Sequence, residues 1–127
     1  MPHEGQRVRV LIVDDEQMIA DTLVQILNAS GLEARAVFSG EQAVSAAEEF
    51  LPDILLTDVI MRGMSGIETG IKISKARPNC RVILFSGQAS TADSLEKARA
   101  RGYRFEMIAK PIHPKELLKV LRSPEGA

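Results

Sequence analysis

The chain has 127 residues, 45% of them hydrophobic, which suits one compact domain with a real core and argues against disorder. Sixteen basic and 17 acidic residues give a net charge of −1, so no basic excess favours nucleic acid or an anionic membrane as a partner. Cys80 is the single cysteine, which excludes an intramolecular disulfide and a cysteine-built zinc site.

The start of the chain predicts a strand, an acidic turn and a helix. Residues 1–6 are predicted to form a loose tail without a signal-peptide pattern, and no apolar run reaches transmembrane length, so we expect a cytoplasmic protein. Val8 to Val13 are mostly apolar and β-branched, which predicts strand one, and this strand runs directly into the acidic segment 14–16. Apolar residues at helical spacing then predict helix one, with Gly31 as its C-terminal cap.

The next elements continue this alternation. A weak alternating pattern predicts strand two over Glu33–Val37, and a capping-box pattern beginning at Ser39 predicts helix two, with Gln42 able to reach back to the cap. A continuous apolar run at Ile54–Leu56 predicts strand three, buried on both faces as in a parallel sheet. Asp58 stands where that run ends, so it is predicted at the rim of the sheet.

The second half of the chain adds two more strand and helix pairs. A capping-box pattern at Ser65–Glu68 opens helix three, and the apolar run Val82–Phe85 predicts strand four, which ends at Ser86-Gly87. Helix four, which Ser90 can cap, has Leu95 as its only large apolar residue, so we expect it to be mostly exposed.

The last strand and helix are short. Glu106 to Ala109 predict strand five, which ends at Lys110-Pro111, and Pro114 fits the first turn of a final helix.

Five strands alternating with five helices predict a parallel sheet with right-handed crossovers. We therefore predict the flavodoxin-like α/β fold, a doubly wound (βα)5 sheet with strand order 2-1-3-4-5. Residues 7–122 are expected to form the domain, with flexible tails at 1–6 and 123–127. In this fold the polar groups that follow the strands converge on one edge of the sheet.

Three carboxylates, an ammonium and a hydroxyl are predicted at that edge. Asp14, Asp15 and Asp58 would repel one another, and a hard divalent cation such as Mg2+, which prefers oxygen ligands, would compensate the repulsion. Lys110 adds a positive charge and Ser86 adds a hydroxyl. A metal, an ammonium, a hydroxyl and a free carboxylate indicate a phosphoryl-transfer site in which the carboxylate attacks phosphorus.

Each of these residues also has an ordinary structural interpretation. Asp14 and Asp15 could cap helix one, Asp58 could be a turn residue, Ser86 could lie in a plain loop, and Lys110 could be a surface cation. Their joint occurrence after strands one, three, four and five favours the functional interpretation.

The same motifs resemble the receiver domain of two-component response regulators. The resemblance covers roughly Arg7 to Arg122 and depends on Val13-Asp14-Asp15, Asp58-Val59-Ile60-Met61, Met64-Ser65-Gly66, Phe85-Ser86-Gly87 and Lys110-Pro111. It implies a phosphoacceptor that assists its own phosphorylation and dephosphorylation, rather than an enzyme. The implied partners are a sensor histidine kinase or histidine phosphotransfer protein, and a downstream protein target that contacts helix four, strand five and helix five.

The resemblance also implies a role for each site residue. Asp58 would accept the phosphoryl group from a phosphohistidine, and Lys110 and Ser86 would bind that group. The Lys-Pro bond is usually cis in this family, which would place Lys110 in the site. The implied Mg2+ ligands are Asp15, Asp58, Asp14 (directly or through water) and the carbonyl oxygen of Ile60.

Four positions bear on the family's usual behaviour. Arg62 stands where the family often has proline, and Met107 stands three residues before the lysine, where an aromatic residue is usual. These departures concern the output mechanism rather than phosphorylation. Ile60 and Gln88 are expected nearest the path of a hydrolytic water, and Ile60 either obstructs that water or merely covers the loop.

Three alternatives are weighed against this interpretation. A flavodoxin-like binding module needs a glycine- and hydroxyl-rich loop after strand one, where residues 14–16 would instead repel a flavin phosphate. An aspartate-nucleophile phosphatase of the haloacid dehalogenase type has an Asp-x-Asp motif there, whereas Asp14 and Asp15 are adjacent. A degenerate receiver would fold without being phosphorylated, and the complete set of site residues argues against it.

Overall fold

Within the residues that the computed structural model describes, 7–87 and 91–123, five strands alternate with five helices. The strands are β1 (Arg9–Val13), β2 (Glu33–Val37), β3 (Ile54–Asp58), β4 (Arg81–Ser86) and β5 (Glu106–Ala109). The helices are α1 (Gln17–Ala29), α2 (Gly40–Phe50), α3 (Gly66–Ala76), α4 (Thr91–Ala100) and α5 (Pro114–Arg122). All strand pairs are parallel and follow the order β2-β1-β3-β4-β5, which confirms the predicted fold.

The central strands are buried on both faces, as their continuous apolar runs predict. Leu11, Leu55 and Leu84 pack into the layer that α2, α3 and α4 cover. Ile12 and Leu56 alternate with them and pack into the layer that α1 and α5 cover. Because successive strand residues point to opposite faces, the same three strands pack against both helical layers. This packing holds the carboxyl ends of the strands in register.

Side-chain caps begin three of the described helices, α2, α3 and α5. The Ser39 hydroxyl accepts the Gln42 N–H at 3.1 Å, as the capping-box pattern predicts. The Gln42 side chain, however, accepts the N–H of Phe38 at 2.9 Å, one residue before the cap. Ser65 caps α3 by accepting the N–H of Glu68 at 3.2 Å. Gly31 follows α1 with a φ of 93°, the left-handed conformation expected of a C-terminal glycine.

Helix α4 is held by few apolar side chains. Among the α4 side chains that the structure describes, Ala98 is buried and Leu95 is half-buried, so the helix is mostly exposed as predicted. Ser90, its predicted cap, lies outside the described residues, as do residues 1–6 and 124–127. The domain limits of 7 and 122 therefore stay a prediction. No helix in the described part of the chain has the length and apolar character needed to cross a membrane.

An ion pair that the sequence pattern did not predict joins β4, β5 and the end of α5. The Arg81 guanidinium donates to both carboxylate oxygens of Glu106, at 2.6 Å each. Its third nitrogen donates to the carbonyl oxygen of Ser123 at 3.0 Å. Because the Arg81 side chain is only 10% exposed, these contacts offset the free-energy cost of burying its charge.

We expect Glu106→Gln to destabilise the fold, because it removes the carboxylate that accepts two hydrogen bonds from the largely buried Arg81 guanidinium. The free energy of unfolding, measured by urea denaturation, should fall by about 2 to 3 kcal/mol. The matched control is Glu49→Gln, which breaks an exposed pair with Arg35 and should cost less than about 0.5 kcal/mol. Equal losses in the two variants would contradict the structural role of the Arg81–Glu106 pair.

Candidate functional site

The carboxyl ends of the strands bring the predicted site residues to one edge of the sheet. Asp14 directly follows β1, Asp58 is the last residue of β3, Ser86 is the last residue of β4, and Lys110 directly follows β5. Parallel pairing sets Ser86 opposite Ala109, so the ends of β4 and β5 are level. The fold thus collects side chains that lie as many as 96 residues apart in the sequence.

Lys110 links two of the carboxylates. Its Nζ lies 3.2 Å from Asp14 Oδ2 and 3.4 Å from Asp58 Oδ2. The same nitrogen lies 5.0 Å from the centre of the Phe85 ring, close enough for a cation–π contact. The Lys110 backbone N–H donates to the Ser86 carbonyl oxygen at 2.9 Å, and the Lys110–Pro111 bond is cis. The end of β4 therefore fixes the Lys110 backbone, and the acids at the ends of β1 and β3 contact its ammonium.

Backbone N–H groups orient each of the three carboxylates. In each case one oxygen accepts a hydrogen bond from a nearby turn, so the acid is held in a defined rotamer. The bonds are to Asp14 Oδ1 from the Glu16 N–H at 2.9 Å, to Asp58 Oδ1 from the Val59 N–H at 2.9 Å, and to Asp15 Oδ2 from the Arg62 N–H at 3.1 Å.

The three acids form a cluster that suits a hard cation. One oxygen of each of Asp14, Asp15 and Asp58 lies within 4.8 Å of the other two, with Asp14 buried and the others half-buried. An all-oxygen donor set that carries several negative charges is the type that Mg2+ prefers. The residues present therefore fit the metal that the sequence predicts.

The electrostatics of the site point the same way. Burial and the neighbouring Asp14 carboxylate raise the pKa of Asp58, and the Lys110 ammonium only partly opposes them. Burial lowers the pKa of Lys110, but the charges of Asp14 and Asp58 outweigh burial and leave the pKa raised. Only the raised pKa of Lys110 reports on the local charge: the carboxylates of Asp14 and Asp58 together exceed the charge of this one ammonium, which favours a further cation.

The loop after Asp58 lies in close backbone contact with the start of α3. The Gly66 N–H donates to the Val59 carbonyl oxygen at 2.8 Å. A Cβ atom at Gly66 would lie 1.9 Å from the Asp58 carbonyl oxygen, a distance no side chain tolerates. Glycine at this position lets the helix approach the strand end closely, and this approach fixes the loop that follows Asp58.

The remaining predicted site residues lie around this cluster. Ser86 is buried at the end of β4, whereas the side chain of Ile60 is 55% exposed, two residues beyond Asp58. Gln88 lies outside the described residues. In the sequence, Arg62 is notable only as a departure from a family pattern. The structure places its side chain against Asp15, a contact that no local motif predicts.

Comparisons with known proteins agree with this geometry. Residues 10–122 match the family model described as the response regulator receiver domain. The chemotaxis protein CheY of Thermotoga maritima is 34% identical over 114 residues, which make up 89% of this chain and 93% of that protein. A CheY-like receiver domain structure from Methanospirillum hungatei aligns with a TM-score of 0.83 and 28% identity over 92% of both chains.

Longer regulators also match. The DNA-binding response regulator MtrA of Mycobacterium tuberculosis is 29% identical over 120 residues, which cover 94% of this chain. The same residues make up 51% of MtrA, so the chain spans about half the length of that relative. The similarity to MtrA therefore concerns about half of the longer protein.

We expect Asp58→Asn to stabilise the fold at neutral pH when no metal is added. Because the folded state raises the pKa of Asp58, this acid favours folding most at pH values below its ordinary pKa of 3.8. That contribution is lost as the pH rises through the raised value, so the ionised carboxylate costs stability at pH 7.

Asparagine removes this cost, so the melting temperature of Asp58→Asn should exceed that of the unaltered protein by a few degrees at pH 7. The difference should shrink as the pH falls toward 4, which thermal unfolding at several pH values would measure. Asp21→Asn, at an exposed position of α1, is the control and should change little. A lower melting temperature for Asp58→Asn at pH 7 would show that the Lys110 contact outweighs burial and repulsion.

Proposed function

Because this chain belongs to the family of response regulator receiver domains, we propose that it is the phosphoacceptor of a two-component or phosphorelay system, modified on Asp58. Receiver domains of this family are signalling proteins that interact with histidine kinases and effector domains. The observation that carries the proposal is the single ammonium of Lys110 lying between Asp14 and Asp58, at 3.2 and 3.4 Å. A flavin-binding module and a haloacid dehalogenase-type phosphatase are not favoured, because the family match covers residues 10–122.

In the proposed reaction Asp58 is the nucleophile. A carboxylate oxygen of Asp58 forms a bond to the phosphorus of a phosphohistidine on a histidine kinase or phosphotransfer protein. The P–N bond breaks, its electron pair stays on the imidazole of the donor, and Asp58 becomes an acyl phosphate. The Val59 N–H at 2.9 Å and Lys110 at 3.4 Å hold the two carboxylate oxygens and so orient the acid before the donor arrives.

Lys110 and Ser86 serve the transferred group. The ammonium already lies beside Asp58 and can move its charge to an oxygen of the new phosphoryl group without leaving Asp14. The Ser86 side chain, at the end of the neighbouring strand, supplies a hydroxyl at the same edge. Both groups favour the acyl phosphate because they meet negative charge that the reaction brings in.

The acidic cluster would hold the metal. Asp14, Asp15 and Asp58, assisted by the carbonyl oxygen of Ile60, are the proposed Mg2+ ligands. A bound Mg2+ would neutralise the oxygens of the transferring phosphoryl group.

The partner surface is proposed on α4, β5 and α5. Helix α4 is mostly exposed and anchored by few apolar residues, so its position can shift at modest free-energy cost. Met107 on β5 is 45% exposed, and its unbranched side chain can adapt to more than one position of α4. A graded change of this surface on phosphorylation follows from both properties.

We expect Asp58 to be the sole phosphorylated residue and its modification to require Mg2+. Incubation with acetyl phosphate and Mg2+ should label the unaltered protein, as measured by intact-protein mass spectrometry. Asp58→Asn should take up no label, chelation should prevent labelling, and Asp15→Ala should abolish the metal dependence along with the activity. The control Asp21→Asn should be labelled normally. Labelling of Asp58→Asn at the level of the unaltered protein would refute the assignment.

The exposed side chain of Ile60 is proposed to lengthen the life of the acyl phosphate. An apolar side chain cannot orient a water for attack and obstructs its approach, whereas asparagine can hold a water in line. Ile60→Asn should therefore speed dephosphorylation severalfold, measured as loss of label from Asp58 after the donor is removed.

Ile60→Leu is the matched control, because it keeps an apolar side chain of the same volume and should leave the rate nearly unchanged. An unchanged or slower loss of label in Ile60→Asn would show that Ile60 only covers the loop.

A further inference from the structure

Arg62 brings two groups to Asp15. Its backbone N–H donates to Asp15 Oδ2 at 3.1 Å, and its side-chain Nε lies 3.7 Å from the same oxygen. The backbone bond fixes the carboxylate in position, while the guanidinium adds a full positive charge beside a proposed metal ligand.

The charges of the cluster are divided between two cations. Lys110 lies against Asp14 and Asp58, and Arg62 lies against Asp15 on the side of the β3–α3 loop. The side chains themselves therefore offset two of the three negative charges that would bind a divalent cation. A cation that binds through Asp15 must act against the guanidinium beside this carboxylate.

The two cations differ in how firmly they are held. The Lys110 side chain is 23% exposed and sits over the Phe85 ring, whereas the Arg62 side chain is 91% exposed. An exposed ion pair contributes little to stability, because water screens it and two mobile side chains must be ordered. The guanidinium can therefore leave Asp15 without loss of packing, although its charge stays close to the site.

We infer that Arg62 is an internal counter-ion that competes with the divalent cation for Asp15 and so sets the cation concentration at which the site is filled. The inference rests on the proposed metal-dependent function and adds a residue to it. Arg62 is a positioning residue here, since it acts on a ligand and touches neither the donor nor the phosphoryl group.

The test is the melting temperature as a function of MgCl2 concentration, because a ligand at free concentration c that binds only the folded state stabilises it by RT ln(1 + c/Kd), so the concentration dependence gives the dissociation constant Kd. Arg62→Gln should bind Mg2+ about threefold more tightly than the unaltered protein. Arg62→Lys keeps the charge and should resemble the unaltered protein. The difference in Mg2+ affinity between Arg62→Gln and the unaltered protein should decrease at high KCl, where exposed charges are screened.

The matched control is Arg99→Gln, which removes an exposed arginine on α4 that pairs with Glu96. It changes the net charge as Arg62→Gln does, so equal tightening in both variants would attribute the effect to net charge and overturn the inference. Unchanged or weaker Mg2+ binding in Arg62→Gln would also overturn it, while leaving the proposed function in place. If Mg2+ does not change the melting temperature of the unaltered protein, both the inference about Arg62 and the proposed metal-dependent function are overturned.

Discussion

The contact of one ammonium with two carboxylates is the interaction on which the site depends. Lys110 Nζ joins Asp14 and Asp58 at 3.2 and 3.4 Å, and these residues come from the ends of three different strands. Asp14 is almost completely buried, and the Lys110 ammonium is the cation that contacts its carboxylate there. The parallel order β2-β1-β3-β4-β5 matters to function because it places those strand ends within reach of one side chain.

The arrangement of the acids at this site does not give maximal stability. Burial and Asp14 raise the pKa of Asp58, so the folded protein holds this proposed nucleophile in an environment that disfavours its charge. A hydrophobic core on both sides of the sheet offsets this cost, since the strands that carry the acids are fully covered. Negative charge left partly uncompensated gives the cluster its attraction for a cation.

Patterns within short segments predicted most of the fold, and the fold in turn predicted that Asp14, Asp58 and Lys110 meet at one edge of the sheet. Distant contacts that do not follow from the order of the strands were missed. The apolar runs at Ile54–Leu56 and Val82–Phe85 fall within β3 and β4, because burial on both faces leaves a signal in consecutive residues. The Arg81–Glu106 pair joins residues 25 positions apart at the starts of two strands, and no local pattern encodes that approach. Gln42 is a local case: the capping-box pattern predicts that its side chain reaches back to the cap at Ser39, whereas it accepts the N–H of the preceding residue, Phe38.

The loop that follows Asp58 alternates between fixed and adjustable positions. Val59 and Met61 are buried in the core beneath α2 and α3, whereas Ile60 and Arg62 are 55% and 91% exposed. The buried pair fixes the backbone, and with it the N–H groups that orient Asp58 and Asp15. The side chains of Ile60 and Arg62 lie outside the core, on the loop that follows Asp58, the proposed nucleophile. Substitution at the exposed positions can therefore change the proposed functions, the lifetime of an acyl phosphate on Asp58 or the affinity for a cation, while the fold stays intact, because neither side chain is needed to hold the loop.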